Sequence, residues 1–272
     1  MAAVGRGQHR LMHRPPWVLD DPFALILVGP EWPALMEFIR STFRGPVIEE
    51  VMAFAVARSR YAEDRFEQGA FEQCVILGAG LDSFAWRHPD LLASSRVFEV
   101  DHPASQLWKQ ERVAALGLPQ SDHHLFVPVD FERDSLSDAL TEKGFEWSRP
   151  AFFSWLGVTA YLTADSIEAT LRSLALGAPG TEIVLSYALT DPYLDEIGTE
   201  FRDTFRAIAA AGGEPVETRL APRDAEALIE RCGFSVAEHL SREDLEGRYF
   251  AGRSDGLRPA TTEGLVAAVV PN

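Results

Sequence analysis

Short apolar runs punctuate the chain from residue 74 onward. Positions 74–77, 97–100, 125–129, 151–156 and 182–187 are each too brief for a helix and have the continuity of a strand buried on both faces. Between them, apolar positions recur at helical spacing over 83–92, 103–116, 134–143 and 164–176. Strand and helix therefore alternate through connections of ordinary length, and right-handed crossovers build such a series into a mostly parallel, doubly wound sheet. Farther on, 192–211 reads as a long helix and 224–232 as another stopped by Gly233, followed by strands over 234–239 and 265–270.

Ahead of the first strand the pattern is helical. Ile48, Val51, Met52, Ala55 and Val56 share one face across 46–69, with Pro46 where a first turn tolerates it, and 31–43 forms a second helix. The opening stretch carries Arg6, His9, Arg10, His13 and Arg14 with no acid before Asp20, and reads as a disordered tail in preference to a transit peptide. No repeat or low-complexity linker divides the chain. The expectation is one α/β domain with a Rossmann-like core over 71–272, preceded by a tail and helical N-terminal cap over 1–70.

Composition narrows the partners. The 272 residues are 46% hydrophobic, enough for a sizeable core. With 41 acidic against 25 basic residues the formal charge is −16, which repels the phosphate backbone and argues against a nucleic-acid partner. No apolar run approaches the roughly 18 residues of a membrane span, and the opening lacks the apolar centre of a secretory signal. Cys74 and Cys232, the two cysteines, cannot make a disulfide framework or a structural zinc site. A cytoplasmic protein without a membrane partner is expected. Lysine is confined to Lys109 and Lys143 while arginine is abundant, which reads as the codon bias of a GC-rich bacterial genome.

The candidate chemistry lies at the carboxyl ends of the expected strands. The first runs into Gly78-Ala79-Gly80-Leu81-Asp82, a turn whose bare glycines let backbone amides approach a nucleotide-type ligand. The dinucleotide fingerprint needs a third glycine, and Ser83 stands there. The second strand ends Phe98-Glu99-Val100-Asp101, placing an acid about 20 residues after the turn, where ribose hydroxyls need an acceptor. Glu99 and Asp101 share a face; Asp101 is the stronger candidate, and the other acid is left as a solvated or ion-paired residue. The third strand delivers Asp130 and Phe131, a carboxylate able to accept the exocyclic amine of adenine and a ring able to cover it, although Asp130 alone also suits a helix cap.

At these residues the chain resembles the leucine carboxyl methyltransferase family. The runs RSRYAED, VILGAGLDSFAWR, FEVDHPASQLWKQERV, FVPVDFE and WLGVTAYLT look like its successive signatures, in order, and the likeness extends from Asp21 to Val270. The resemblance implies a class I S-adenosyl-L-methionine-dependent O-methyltransferase fold, with S-adenosyl-L-homocysteine as product. By similarity, Arg58 holds the methionyl carboxylate, Gly78 and Gly80 form the turn beneath the cofactor, Asp101 takes the ribose, and Asp130 with Phe131 takes the adenine. On residue type alone Arg58 would be a surface ion pair among Arg60 and Glu63. One departure stands out: many relatives carry a glutamate just before the glycine of the fourth-strand signature, and here that position is Leu156, before Gly157. The cofactor contact expected there is then apolar or made by backbone.

Bacterial relatives of this type methylate carboxyls or hydroxyls in polyketide and other secondary metabolism, so the expected acceptor is the carboxylate or phenolic hydroxyl of a small molecule. A sulfonium methyl is already activated, and aligning it with the acceptor supplies about 7 to 11 kcal/mol. A carboxylate is ionised at neutral pH and needs no base; a phenol, with pKa near 10, gains from one, and His102 is a candidate although a histidine at a helix start also has structural uses. Tyr161 and Tyr187, after the fourth and fifth strands, are the substrate-side candidates, with core aromatics as the competing reading. Two other classes share these motifs. An NAD(P)-dependent oxidoreductase has the glycine turn and the acid, but the missing third glycine and about 70 residues before the first strand count against it. A catalytically silent cofactor-binding subunit is the third.

Overall fold

Strand β1, Gln73–Leu77, is buried at every position and forms the axis of the sheet. The computed structural model describes residues 2–212 and 215–272. In chain order the main elements are α1 (Ala2–Met12), α2 (Ala24–Val28), α3 (Trp32–Thr42), α4 (Val47–Gly69), β1, α5 (Phe84–Arg87), β2 (Arg96–Asp101), α6 (Pro103–Ala115), β3 (His124–Pro128), α7 (Leu136–Glu142) and β4 (Phe152–Trp155). They continue as α8 (Ala164–Leu174), β5 (Glu182–Ala188), α9 (Glu196–Ala211), α10 (Pro222–Arg231), β6 (Ser235–Leu240), α11 (Arg242–Leu245) and β7 (Glu263–Val269).

The seven strands lie in the order β3-β2-β1-β4-β5-β7-β6. Strands β1 to β5 pair in parallel, and β7 runs antiparallel between β5 and β6. All seven expected strands are present within one or two residues, and the mostly parallel doubly wound sheet is as expected. The strand order reverses between β1 and β4, so the loops after these two strands part in opposite directions and open a crevice at their carboxyl ends.

Two expected helices are shorter than their apolar pattern suggests. The 83–92 segment breaks into α5 and a 3-10 turn at Leu91–Ala93, because Pro89 supplies no amide and drives His88 out of the helical region (φ −122°, ψ 56°). The 192–211 segment starts as a 3-10 turn at Asp191–Tyr193, and α9 begins only where the Asp195 carboxylate accepts the Gly198 amide at 2.6 Å.

The N-terminal expectation needs a larger correction. Residues 2–12 are not a disordered tail but the helix α1, packed on α2 and α4 with Ala3 and Val4 buried. Gly7 allows this approach, since a Cβ there would lie 2.3 Å from Leu25 Cγ. The basic residues that suggested a tail are used internally: Arg6 pairs with Asp21 at 2.8 Å, and His9 Nε2 accepts the Val18 amide at 3.0 Å. Helix α4 is more than a cap, because its Phe54, Ala57, Tyr61 and Phe66 share one apolar cluster with Cys74, Ile76, Phe152 and Ala267 of the sheet. A separate cluster joins α3 and the start of α4 to Phe201 and Phe205 of α9, roofing the crevice.

Candidate active site

A cavity of about 1040 Å³ lies over the carboxyl ends of β1, β2, β3 and β4, roofed by α1, α4 and α9. Gly78, Gly80, Asp101, Asp130, Phe131, Tyr161 and Arg58 all line it, so residues far apart in sequence meet on one surface.

The turn after β1 is built for close approach. Gly78 and Gly80 have φ of 66° and 48°, and a Cβ on Gly78 would sit 2.3 Å from Val158 Cγ2. The Gly80 amide donates to Asp101 Oδ2, and the His102 amide donates to Asp101 Oδ1 at 2.7 Å. Burial pushes the Asp101 carboxyl above its ordinary pKa, against the pull of those two amides. The acid is thus oriented by backbone, with its remaining lone pairs available to the cavity. Glu99 is fully buried and does not line the cavity. It binds Lys109 and, at 2.8 Å, His124, and these two hold it below the usual carboxylate range in spite of its burial. Lys109 also donates to the Asp82 carbonyl at 2.8 Å, so the buried pair braces the glycine turn from behind. The sequence signal for this brace was present but unread, a lone lysine on the helix following two acids.

Asp130 accepts the Glu132 amide at 3.0 Å in a tight turn. The cap of α7 is instead Ser135, which accepts the Asp138 amide at 3.3 Å. Phe131 stacks on Trp155, centroids 6.2 Å apart, and fixes that wall.

Arg58 is not a surface residue. It is buried on α4, and its Nη1 donates to both oxygens of Glu263, at the start of β7, at 2.5 Å each. Arg60 pairs with Asp64 and Glu63 with Arg87, away from it. Gly157 lies directly against the guanidinium, where a Cβ would fall 2.3 Å from Nη2. Leu156 and Glu263 both line the cavity. Glu263 escaped the sequence reading because its partner lies 205 residues earlier.

Tyr161 lines the cavity from the 3-10 turn Thr159–Tyr161. Tyr187 does not reach it. Side chains alternate along β5, and Ser186 and Ala188 face the cavity while Tyr187 points to the opposite face, its hydroxyl 2.8 Å from His239 Nε2. His102 lines the cavity, with Nδ1 accepting the Ala104 amide at 3.3 Å as the cap of α6.

A family model described as leucine carboxyl methyltransferase matches residues 1–175. The chain belongs to the leucine carboxyl methyltransferase family. Among relatives of this methyltransferase, YktD of Bacillus subtilis (strain 168) is 37% identical over 220 residues, covering 79% of this chain and 71% of that one. A protein of Mycolicibacterium paratuberculosis (strain ATCC BAA-968 / K-10) is 30% identical over 226 residues, covering 76% and 70%. Both carry names assigning them to S-adenosyl-L-methionine-dependent methyltransferases. The fold also matches the crystal structure of a duf574 family protein from Streptomyces avermitilis MA-4680, with TM-score 0.64 and 15% identity over 100% of this chain and 97% of that one. A structure from Thermobifida fusca YX, titled as a methyltransferase, matches with TM-score 0.61 and 16% identity over 91% and 92%. Among the described residues of this methyltransferase, no helix is long and apolar enough to cross a membrane.

Proposed function

We propose that the chain is an S-adenosyl-L-methionine-dependent O-methyltransferase acting on the carboxylate, or failing that the phenolic hydroxyl, of a small polyketide-type molecule. The observation that carries this reading is the meeting of Gly78, Gly80, Asp101, Asp130, Phe131 and Arg58 on one cavity. The residues fit an adenosyl amino acid: a glycine cradle that a Cβ would fill, a carboxylate held by two amides, and an arginine whose Nε and Nη2 have no hydrogen-bond partner among the described residues. In this assignment Asp101 accepts from the ribose hydroxyls, Asp130 accepts from the adenine amine, Phe131 covers the base, and Arg58 holds the methionyl carboxylate.

S-adenosyl-L-methionine supplies a methyl group already activated by its sulfonium, so the protein's part is alignment and exclusion of water. A volume of about 1040 Å³ lies just above the roughly 300–1,000 Å³ common for ligand sites, leaving room for an acceptor beside the donor. The acceptor end is apolar, with Val51, Met52, Phe201 and Phe205, and is bordered by Arg206 and by Arg202 and Arg219, which pair with Asp191. An apolar body bearing an anionic group suits that lining where Arg206, which has no ion pair among the described residues, meets it, and this favours the carboxylate. It is ionised at neutral pH and needs no base, whereas a phenol would call on His102.

The test is calorimetric titration with S-adenosyl-L-homocysteine and with NADH, followed by transfer of labelled methyl to a panel of apolar carboxylic acids and phenols. Binding of the first alone and an alkali-labile labelled ester are expected. Heat from NADH alone would make the protein an oxidoreductase, and an alkali-stable ether would move the acceptor to a hydroxyl. Cofactor binding without transfer to either panel would favour a silent subunit.

A further inference from the structure

An amino-acid group is a zwitterion at neutral pH, so a site that grips one by charge needs a cation and an anion side by side. The cavity holds such a pair in Arg58 and Glu263, 2.5 Å apart at both carboxylate oxygens. Both bonds use Nη1, and Glu263 retains 24% side-chain exposure. A carboxylate has about four lone-pair sites, so Glu263 has acceptor capacity beyond the two that Arg58 occupies. The neighbouring tip of β4 is the apolar Leu156, which offers an ammonium no acceptor from its side chain. Asp101, held by the turn amides, lies at the other side of the glycine cradle and is assigned to the ribose.

Resting on the proposed cofactor, we infer that Glu263, at the start of β7, is the acceptor for the α-ammonium of the methionyl group. Arg58 and Glu263 then form a two-sided clamp. The arginine would hold the ligand carboxylate and Glu263 the ammonium, with Glu263 also keeping the arginine in place. The pair is neutral overall, which matches a group whose own charges cancel.

Calorimetry with S-adenosyl-L-homocysteine, its deaminated analogue and 5′-methylthioadenosine tests the assignment in wild type and Glu263→Gln. Wild type is expected to prefer the intact amino acid over the deaminated form by at least about tenfold, the factor for loss of a charged hydrogen bond. Glu263→Gln should abolish that preference and leave 5′-methylthioadenosine unchanged, and adding Leu156→Glu to Glu263→Gln should restore it. A preference that survives Glu263→Gln, or equal weakening toward the intact and deaminated forms, overturns the inference by reducing Glu263 to a support for Arg58. Absence of the preference in wild type overturns it without any variant. If wild type binds none of the three, the cofactor assignment itself fails.

Discussion

Arg6, on the first helix of the chain, donates from Nη2 to the carbonyl of Leu81 at 2.7 Å, inside the turn that follows β1. The same guanidinium binds Asp21, whose second partner Ser83 continues that turn at 2.7 Å. The N-terminal helix is thereby tied to the backbone that frames the cavity.

Arg6→Ala should accordingly destabilise the fold by about 3 kcal/mol, the lower end for removing one partner of a buried ion pair, because Arg87 at 3.9 Å still offsets part of the Asp21 charge. Urea unfolding measures the loss. Affinity for S-adenosyl-L-homocysteine should fall as well; an unchanged affinity would show that the glycine turn holds its shape without α1.

The two acids of β2 should separate by phenotype. Asp101→Ala is expected to weaken cofactor binding by about 1.5 to 3 kcal/mol with little effect on the unfolding midpoint. Glu99→Gln leaves Lys109 buried without its counter-charge and should cost about 3 to 5 kcal/mol of stability. Calorimetry and urea titration of both variants decide it, and a reversed pattern would return the ribose role to Glu99.

Gly78→Ala combines two penalties, a left-handed backbone and a contact with Val158 at 2.3 Å, whereas Gly180→Ala has the left-handed backbone with open space around it. The second should cost roughly 1–2 kcal/mol. The first should cost more and also abolish cofactor binding. Thermal melts give the first comparison and calorimetry the second.

Acid should weaken the fold in two windows. Burial, with the charges of His13 and Arg253, lowers the His9 pKa to about 4, so its neutral-state stabilisation is complete above pH 6.5 and is lost as pH falls from there through 4. Glu63 lies against burial but is held at about 2 by Arg87 and His88; its contribution is complete above the ordinary carboxylate pKa and is lost as pH falls through 2. Urea midpoints of wild type and His9→Gln between pH 7 and pH 4 should converge in slope only if His9 is not the titrating group; the variant is expected to be flatter.

Tyr187→Phe should leave cofactor affinity and turnover unchanged and cost about 1 kcal/mol for the lost bond to His239. Tyr161→Phe should instead raise the acceptor KM. Methyl-transfer kinetics with an acceptor from the active panel compare the two, and a kinetic defect in Tyr187→Phe would mean its ring reaches the ligand after all.

Local pattern was sufficient for the strands, most helices and the glycine turn, because periodicity and backbone freedom are properties of neighbouring residues. It brought Gly78, Asp101 and Asp130 to strand ends, and the order of those strands placed them over one cavity. Parity along a strand was equally available, and it would have separated Tyr187 from Ser186. Pro89 likewise marked the break that the apolar spacing concealed. Pairings between distant elements carried no such mark. Glu99 and Asp101 share a face and a carboxylate, and only the packing of α6 put Lys109 in contact with one and not the other. Arg58 and Glu263 stand at opposite ends of the sequence, and the burial of α1 depends on Gly7 meeting Leu25 and Arg6 meeting Asp21. Charge and burial are set by what the chain folds against, so these residues acquired their roles from contacts that no local window contains.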